Sequence, residues 1–225
     1  MNMIEIYVEI GLKRVIAGAL DWPGWCRIGR SEAEALQALV DYVPRYARVL
    51  RESQIDFQPP ANALALAVIE RLNGNATTDY GVPIMIPEAD RRPLERPELE
   101  RQGRLLQACW LALDSAALSA AGKELRKGPR GGGRDLEEIL RHVVDADKAY
   151  LARLGWKNKS EGSLDLSEEF RQTRQAILAG LLAAVSSELP AQGPRGGVIW
   201  PARYFVRRSA WHVLDHAWEI EDRVD

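Results

Sequence analysis

Tyr204-Phe-Val-Arg-Arg-Ser-Ala-Trp-His-Val-Leu-Asp-His-Ala-Trp-Glu-Ile-Glu-Asp-Arg223 is the stretch whose reading decides the fold. It reads as one long helix. His212 and His216 stand four residues apart, so both imidazoles leave the same face one turn apart, with roughly 5–6 Å between Cβ atoms. The chain has three histidines in all. The third, His142, lies within another helical pattern. The rest of the chain is organised around these three rings meeting at one metal ion.

Working outward from that helix, the same periodicity recurs three times upstream. Glu98–Gly122 carries apolar Leu99, Leu105, Leu106, Cys109, Trp110 and Leu113. A second helix starts near Asp135, with Glu137 and Glu138 in its first turn, where the helix dipole favours acids. Its apolar face runs Leu136, Ile139, Leu140, Val143, Ala146, Tyr150 and Leu154, and His142 falls close to that face. A third runs from about Ser167 to Glu188, with Phe170, Ile177, Leu178, Leu181, Leu182 and Val185 inward. Four helices with one apolar face each predict a four-helix bundle over residues 97–225. The joining loops, 127–133, 155–162 and 190–197, are long enough to cover one end of it. Lys127-Gly-Pro-Arg-Gly-Gly-Gly133 is glycine-rich and basic, but it follows a helix and lacks the Lys-Ser/Thr ending, so it is not a phosphate loop.

Residues 1–96 have a different character. Ile4–Ile10 alternates polar and apolar side chains and predicts a strand, and Arg14–Leu20 predicts its hairpin partner. Trp22-Pro-Gly-Trp25 marks a turn, and Cys26–Gly29 resumes an extended segment. Ser31 with Glu34 reads as a capping box opening a helix to about Leu50, interrupted at Pro44. Leu64–Glu70 reads as a third strand by its flanks and length. Residues 73–97 predict a long turn-rich loop, whose Asp79 either caps a turn or reaches a ligand. The whole is α+β: a small α/β domain with two or three antiparallel strands and one helix, then a four-helix bundle.

Composition bounds the function. Of 225 residues, 46% are hydrophobic and 28% charged, with a net charge of -2. That balance gives no support for polyanion binding as the main task, and no nucleic-acid partner is expected. No run approaches a membrane span, and no secretion signal is visible, so the expected location is cytoplasmic. The two cysteines, Cys26 and Cys109, show no metal-ligand spacing and fit a reducing compartment.

Three histidines with an open coordination position describe a catalytic type of divalent metal site. Glu219 follows His216 by three residues and His212 by seven, on the same face, and Asp145 follows His142 by three. Both are candidates to orient a ligand or to act as acid/base. Trp110, Trp211 and Trp218 are read as bundle packing. Arg203, Arg207 and Arg208 precede the site by one or two turns; they either attract an anionic substrate or form a solvated helix face, and the solvated face is the expectation.

Residues 98–225 resemble the DinB-like (YfiT-like) superfamily. The likeness rests on His142 with its following Val-Val-Asp-Ala-Asp-Lys-Ala-Tyr150 in the second helix, and on the His212-x-x-x-His216 pair in the last. The resemblance implies a four-helix bundle binding nickel, zinc or a similar divalent ion through His142, His212 and His216. It further implies hydrolysis, or transfer of an external low-molecular-weight thiol. Residues 4–50 resemble the small HicB-like α/β domains, through Asp21-Trp-Pro-Gly-Trp-Cys26, Arg27-Ile-Gly-Arg-Ser31 and the Glu32-Ala-Glu-Ala-Leu36 helix start. Antitoxin function does not follow from that likeness. Two other readings stand beside the enzyme: a non-catalytic metal-binding protein, and an interaction protein acting through residues 1–96. An unpaired strand edge there would suit a homodimer.

Overall fold

The structure is a computed structural model and describes residues 3–51, 53–127, 133–156, 165–190, 192–193 and 197–224. The chain divides into two compact units, Met1–Arg92 and Pro93–Asp225.

The first unit is built on a four-stranded sheet of order β3-β2-β1-β4. The strands are β1 (Ile4–Ile10), β2 (Val15–Ala19), β3 (Cys26–Gly29) and β4 (Leu66–Asn73). β1 and β2 form the expected hairpin, with Ile6 opposite Ala19 and Ile10 opposite Val15. β3 extends it antiparallel. β4 lies parallel to β1, with an irregularity between Ile6 and Tyr7. The sequence placed this strand at Leu64–Glu70 but expected antiparallel pairing, so its parallel pairing corrects that expectation. A parallel neighbour needs a crossover connection, and residues 11–65 supply it.

The helical run breaks at Pro44, as expected. α1 (Glu32–Asp41) ends at Tyr42, and α2 (Val43–Leu50) begins with the proline in its first turn, where its missing N–H costs nothing. Ser31 caps α1 by accepting from the Glu34 N–H. The Glu34 carboxylate accepts from the Arg30 N–H, one residue before the cap. Under these helices Trp25 stacks on Tyr46 at 5.7 Å, with Phe57 edge-on to both. The polar ends of both rings are satisfied: Trp25 Nε1 donates to the Leu39 carbonyl, and the Tyr46 hydroxyl to that of Pro23. Gly18 faces Tyr7 across the hairpin, where a Cβ would come within 2.4 Å of the ring.

Part of the predicted loop after β4 is helical, as the short α3 (Ala76–Asp79) and α4 (Glu88–Arg91). Asp79 accepts from the backbone N–H groups of Lys13 and Arg14. These bonds hold its carboxyl below the ordinary range, and they make it the cap of the β1–β2 turn.

The second unit is a bundle of α5 (Arg96–Ala120), α6 (Leu136–Arg153), α7 (Leu166–Val185) and α8 (Ala202–Arg223). Asp135 and Glu138 form a reciprocal capping box that starts α6; Asp165 caps α7 by accepting from the Glu168 N–H. α8 packs against α5 and α6, and from Tyr204 to Leu214 every residue on it is buried. Trp110, Trp211 and Trp218 are buried in the bundle, as expected. The reading of Arg203, Arg207 and Arg208 as a solvated face is overturned. Arg207 and Arg208 are buried, and Arg203 pairs with Glu98. Charged residues normally mark a helix's wet side, but α8 is enclosed and its cations lie inside. The 127–133, 155–162 and 190–197 connections fall largely outside the described residues.

Among the described residues no helix is long and apolar enough to cross a membrane.

Candidate metal centre

α6 delivers His142, and α8 delivers His212 and His216 one turn apart. The ring centres form a near-equilateral triangle: 5.1 Å from His142 to His212, 5.0 Å from His142 to His216 and 4.7 Å between the α8 pair. One nitrogen from each ring lies within 4.8 Å of the others. His212 Nε2 and His142 Nε2 face each other at 3.2 Å. Two imidazoles on a tetrahedral zinc ion, at ordinary Zn–N lengths, would be roughly 3.3–3.4 Å apart, so this pair fits one edge of such a site.

The electrostatics agree with the geometry. A ligand imidazole must be neutral. Burial pushes the His212 pKa down to about 2, reinforced by the charges of His216, Arg208, His142 and Arg134. His142 is also lowered, by burial and then by Arg134 and His216, with Glu219 and Asp145 opposing. Buried His212 Nδ1 has no hydrogen-bond partner among the described residues. His142 is the more open member, and the other two are buried.

Glu219 orients one ring. His216 Nδ1 lies 2.8 Å from Glu219 Oε2; with the carboxylate accepting from Nδ1–H, Nε2 keeps its lone pair for a ligand role. The other carboxylate oxygen accepts from Arg223 at 2.6 Å. The His216 hydrogen bond, and then Arg223, hold the Glu219 carboxyl below its ordinary range despite partial burial. Arg223 also donates to the carbonyls of Arg126 and Arg134, tying this end of α8 to the chain before α6. The spacing of His216, Glu219 and Arg223 was visible in the sequence; the role of Arg223 was not.

Asp145 stands elsewhere. Its side chain is 72% exposed and 3.9 Å from Lys148, and its action on His142 is through charge alone. Two further residues adjoin the cluster: Tyr150, which sequence reasoning missed as a site residue, and Arg208, which it read as solvated. The Tyr150 ring is 5.6 Å from that of His212, and Arg208 lies over Tyr150 and Trp211. The spacing of Arg208 and His212, four apart on α8, was the available signal. Cys26 and Cys109 are buried and form no disulfide, and burial pushes the Cys109 thiol pKa far up. A groove of about 750 Å³ between α5 and α7, walled by Trp110, Phe170 and Arg174, includes none of the three histidines.

The fold and the site therefore define an α/β unit followed by a helical bundle that carries a three-histidine cluster able to chelate a divalent metal ion. No family model, curated protein or solved structure matches the chain.

Proposed function

We propose that the protein is a divalent-metal-dependent enzyme whose ion is held by His142, His212 and His216. The observation that carries the reading is the convergence of three imidazole nitrogens within 4.8 Å. Three histidines leave a fourth position for a water molecule or a substrate atom. Nickel or zinc suits an all-imidazole set. When bound, the ion supplies Lewis acidity, which lowers the pKa of a water molecule or an external thiol. That chemistry serves hydrolysis or low-molecular-weight thiol transfer, in keeping with the DinB-like resemblance of residues 98–225.

The chain's own groups have separate tasks. Glu219 holds the His216 tautomer and, anchored by Arg223, is the candidate acid/base for a reacting group. Asp145 contributes a negative potential at the open, His142 side of the cluster. The buried cysteines supply no reacting thiol, so a thiol substrate comes from outside. The test is elemental analysis of purified protein beside His212→Ala: one ion per chain in the wild type, and almost none in the variant. Equal metal content in both would remove the site.

A second proposal concerns assembly. β4 is an edge strand and exposes Ile69, so pairing of two such edges would make a homodimer. Sedimentation of Ile69→Lys beside the wild type tests it; the same mass for both would exclude this interface.

A further inference from the structure

The Arg223 guanidinium is engaged on three sides. Nη1 donates to Glu219 at 2.6 Å, Nε to the Arg126 carbonyl at 2.9 Å and Nη2 to the Arg134 carbonyl at 2.7 Å. Those two carbonyls bracket the Lys127–Gly133 stretch, so one side chain grips the connection between α5 and α6 on both sides of its glycine-rich part. The grip is returned. The Arg126 N–H donates to the Arg223 carbonyl at 2.8 Å, the Arg126 guanidinium donates to the Asp222 carbonyl, and Leu125 forms an antiparallel bridge with Val224. Gly133 leaves room for the clasp. Its φ of 138° strains any L side chain, and a Cβ there would stand 2.8 Å from Arg223 Nη2.

The remaining contact of the guanidinium leads to the histidines. Glu219 divides its two oxygens between Arg223 Nη1, at 2.6 Å, and His216 Nδ1, at 2.8 Å. A carboxylate held by a guanidinium on one side presents a fixed oxygen on the other, and the imidazole facing it cannot turn without breaking a bond. An ion on Nε2 would fix the same ring from its opposite side. His212 has no such support, since its Nδ1 lacks a hydrogen-bond partner among the described residues. His216, Glu219, Arg223 and the carbonyls of Arg126 and Arg134 thus form one hydrogen-bonded chain. Order imposed at either end of such a chain favours order at the other, and the effect is reciprocal.

We propose that Arg223 is a positioning residue that couples the three-histidine cluster to the connection ahead of α6: the closed clasp holds His216 in its ligand orientation, and an ion on the cluster holds the clasp closed. The proposal deepens the metal-enzyme reading and rests on it for the ion. The hydrogen-bonded chain from Glu219 to Arg126 belongs to the protein with or without one.

The test uses the full chain and zinc. Chelator competition reads the zinc Kd, and hydrogen exchange at the Arg126 amide reads the clasp. In the wild type, zinc slows that exchange about tenfold or more. Arg223→Met raises the zinc Kd roughly tenfold and abolishes the slowing. Adding Arg223→Met to Glu219→Gln weakens zinc no further than Glu219→Gln alone, because the two residues act in series. Arg223→Lys keeps a cation for Glu219 but loses the planar fork, so its zinc Kd stays within severalfold of the wild type while the slowing is lost. If Arg223→Met does not fold, Arg223→Lys and the wild-type exchange decide. An unchanged zinc Kd in Arg223→Met, a wild-type exchange rate indifferent to zinc, or losses that multiply in the double variant each overturn the coupling and leave the metal reading standing. A wild type that takes up no zinc defeats the metal reading. The metal-free chain then decides the clasp: Glu219→Gln must speed exchange at the Arg126 amide severalfold, and an unchanged rate overturns the clasp as well.

Discussion

Glu9 and Asp147 are both carboxylic acids removed from solvent, one in each unit, and they are treated in opposite ways. Glu9 on β1 accepts from the backbone N–H groups of Ile84 and Met85 and from the Thr78 hydroxyl. It works as a clasp that pins the 78–85 segment to the sheet. Asp147 on α6 has no hydrogen-bond partner for either oxygen among the described residues, and burial lifts its pKa to about 7, with Arg174 opposing. The histidine cluster, whose His142 lies five residues before Asp147 on α6, also has His212 Nδ1 without a hydrogen-bond partner among the described residues and two ring nitrogens facing each other. Where the chain satisfies its own buried polar groups, they hold the fold; the histidine cluster instead keeps ring nitrogens open and close together, an arrangement able to chelate a divalent metal ion.

The sharpest way to break this contrast is to add and remove metal. Zinc at a thousandfold excess over its Kd should stabilise the bundle by about 4 kcal/mol. His212→Ala should abolish the rise in Tm, while Glu9→Ala should leave it intact. The same Tm shift in both variants would place the ion elsewhere.

Asp147 comes next. Its folded pKa lies above its unfolded value of about 3.8. Between roughly pH 4 and pH 7 the unfolded chain is ionised while the folded one keeps its proton. Stability therefore falls as pH rises through that window and levels off above it. The loss is on the order of 2–4 kcal/mol. Urea unfolding from pH 4.5 to pH 8 should show it, and Asp147→Asn should flatten it; an unchanged slope would mean that the carboxyl is ionised in the fold.

Glu9→Ala should cost about 2–3 kcal/mol by leaving three donors without an acceptor. Hydrogen exchange at the Ile84 and Met85 amides should accelerate, with zinc content unchanged. Slow exchange persisting there would show that the clasp is not needed.

The smallest effect is expected at Glu219. Glu219→Gln keeps an acceptor for His216 but loses the charge that Arg223 anchors, so zinc affinity should drop about ten- to a hundredfold without loss of fold. A chelator competition that gives the wild-type Kd would remove Glu219 from the site.

Much of this was legible along the chain. The long α8 pattern, the Ser31 cap, the α6 start near Asp135, the break at Pro44 and the β1–β2 hairpin all rest on local chemistry, and they stand in the structure where the sequence put them. The i,i+4 spacing of His212 and His216 made a shared face unavoidable, since helix geometry alone aligns residues four apart. The ambiguous Leu64–Glu70 segment was harder. Leu66–Asn73 is a strand because a neighbouring edge accepts it in parallel, and no pattern within eight residues carries that information.

The sequence by itself determined the long helices, the β1–β2 hairpin and the histidine pair of the candidate metal site, because these depend on neighbours a few residues apart. Only the tertiary structure decided that His142 meets the α8 pair 70 residues away. It also decided that Arg208 is enclosed beside the cluster rather than solvated, that Asp145 stays outside while Glu219 is drawn in, and that Asp79 closes a turn. Each of those outcomes depends on which surfaces of separate elements are pressed together. Burial then sets whether the same side chain is charged, neutral or free to bind.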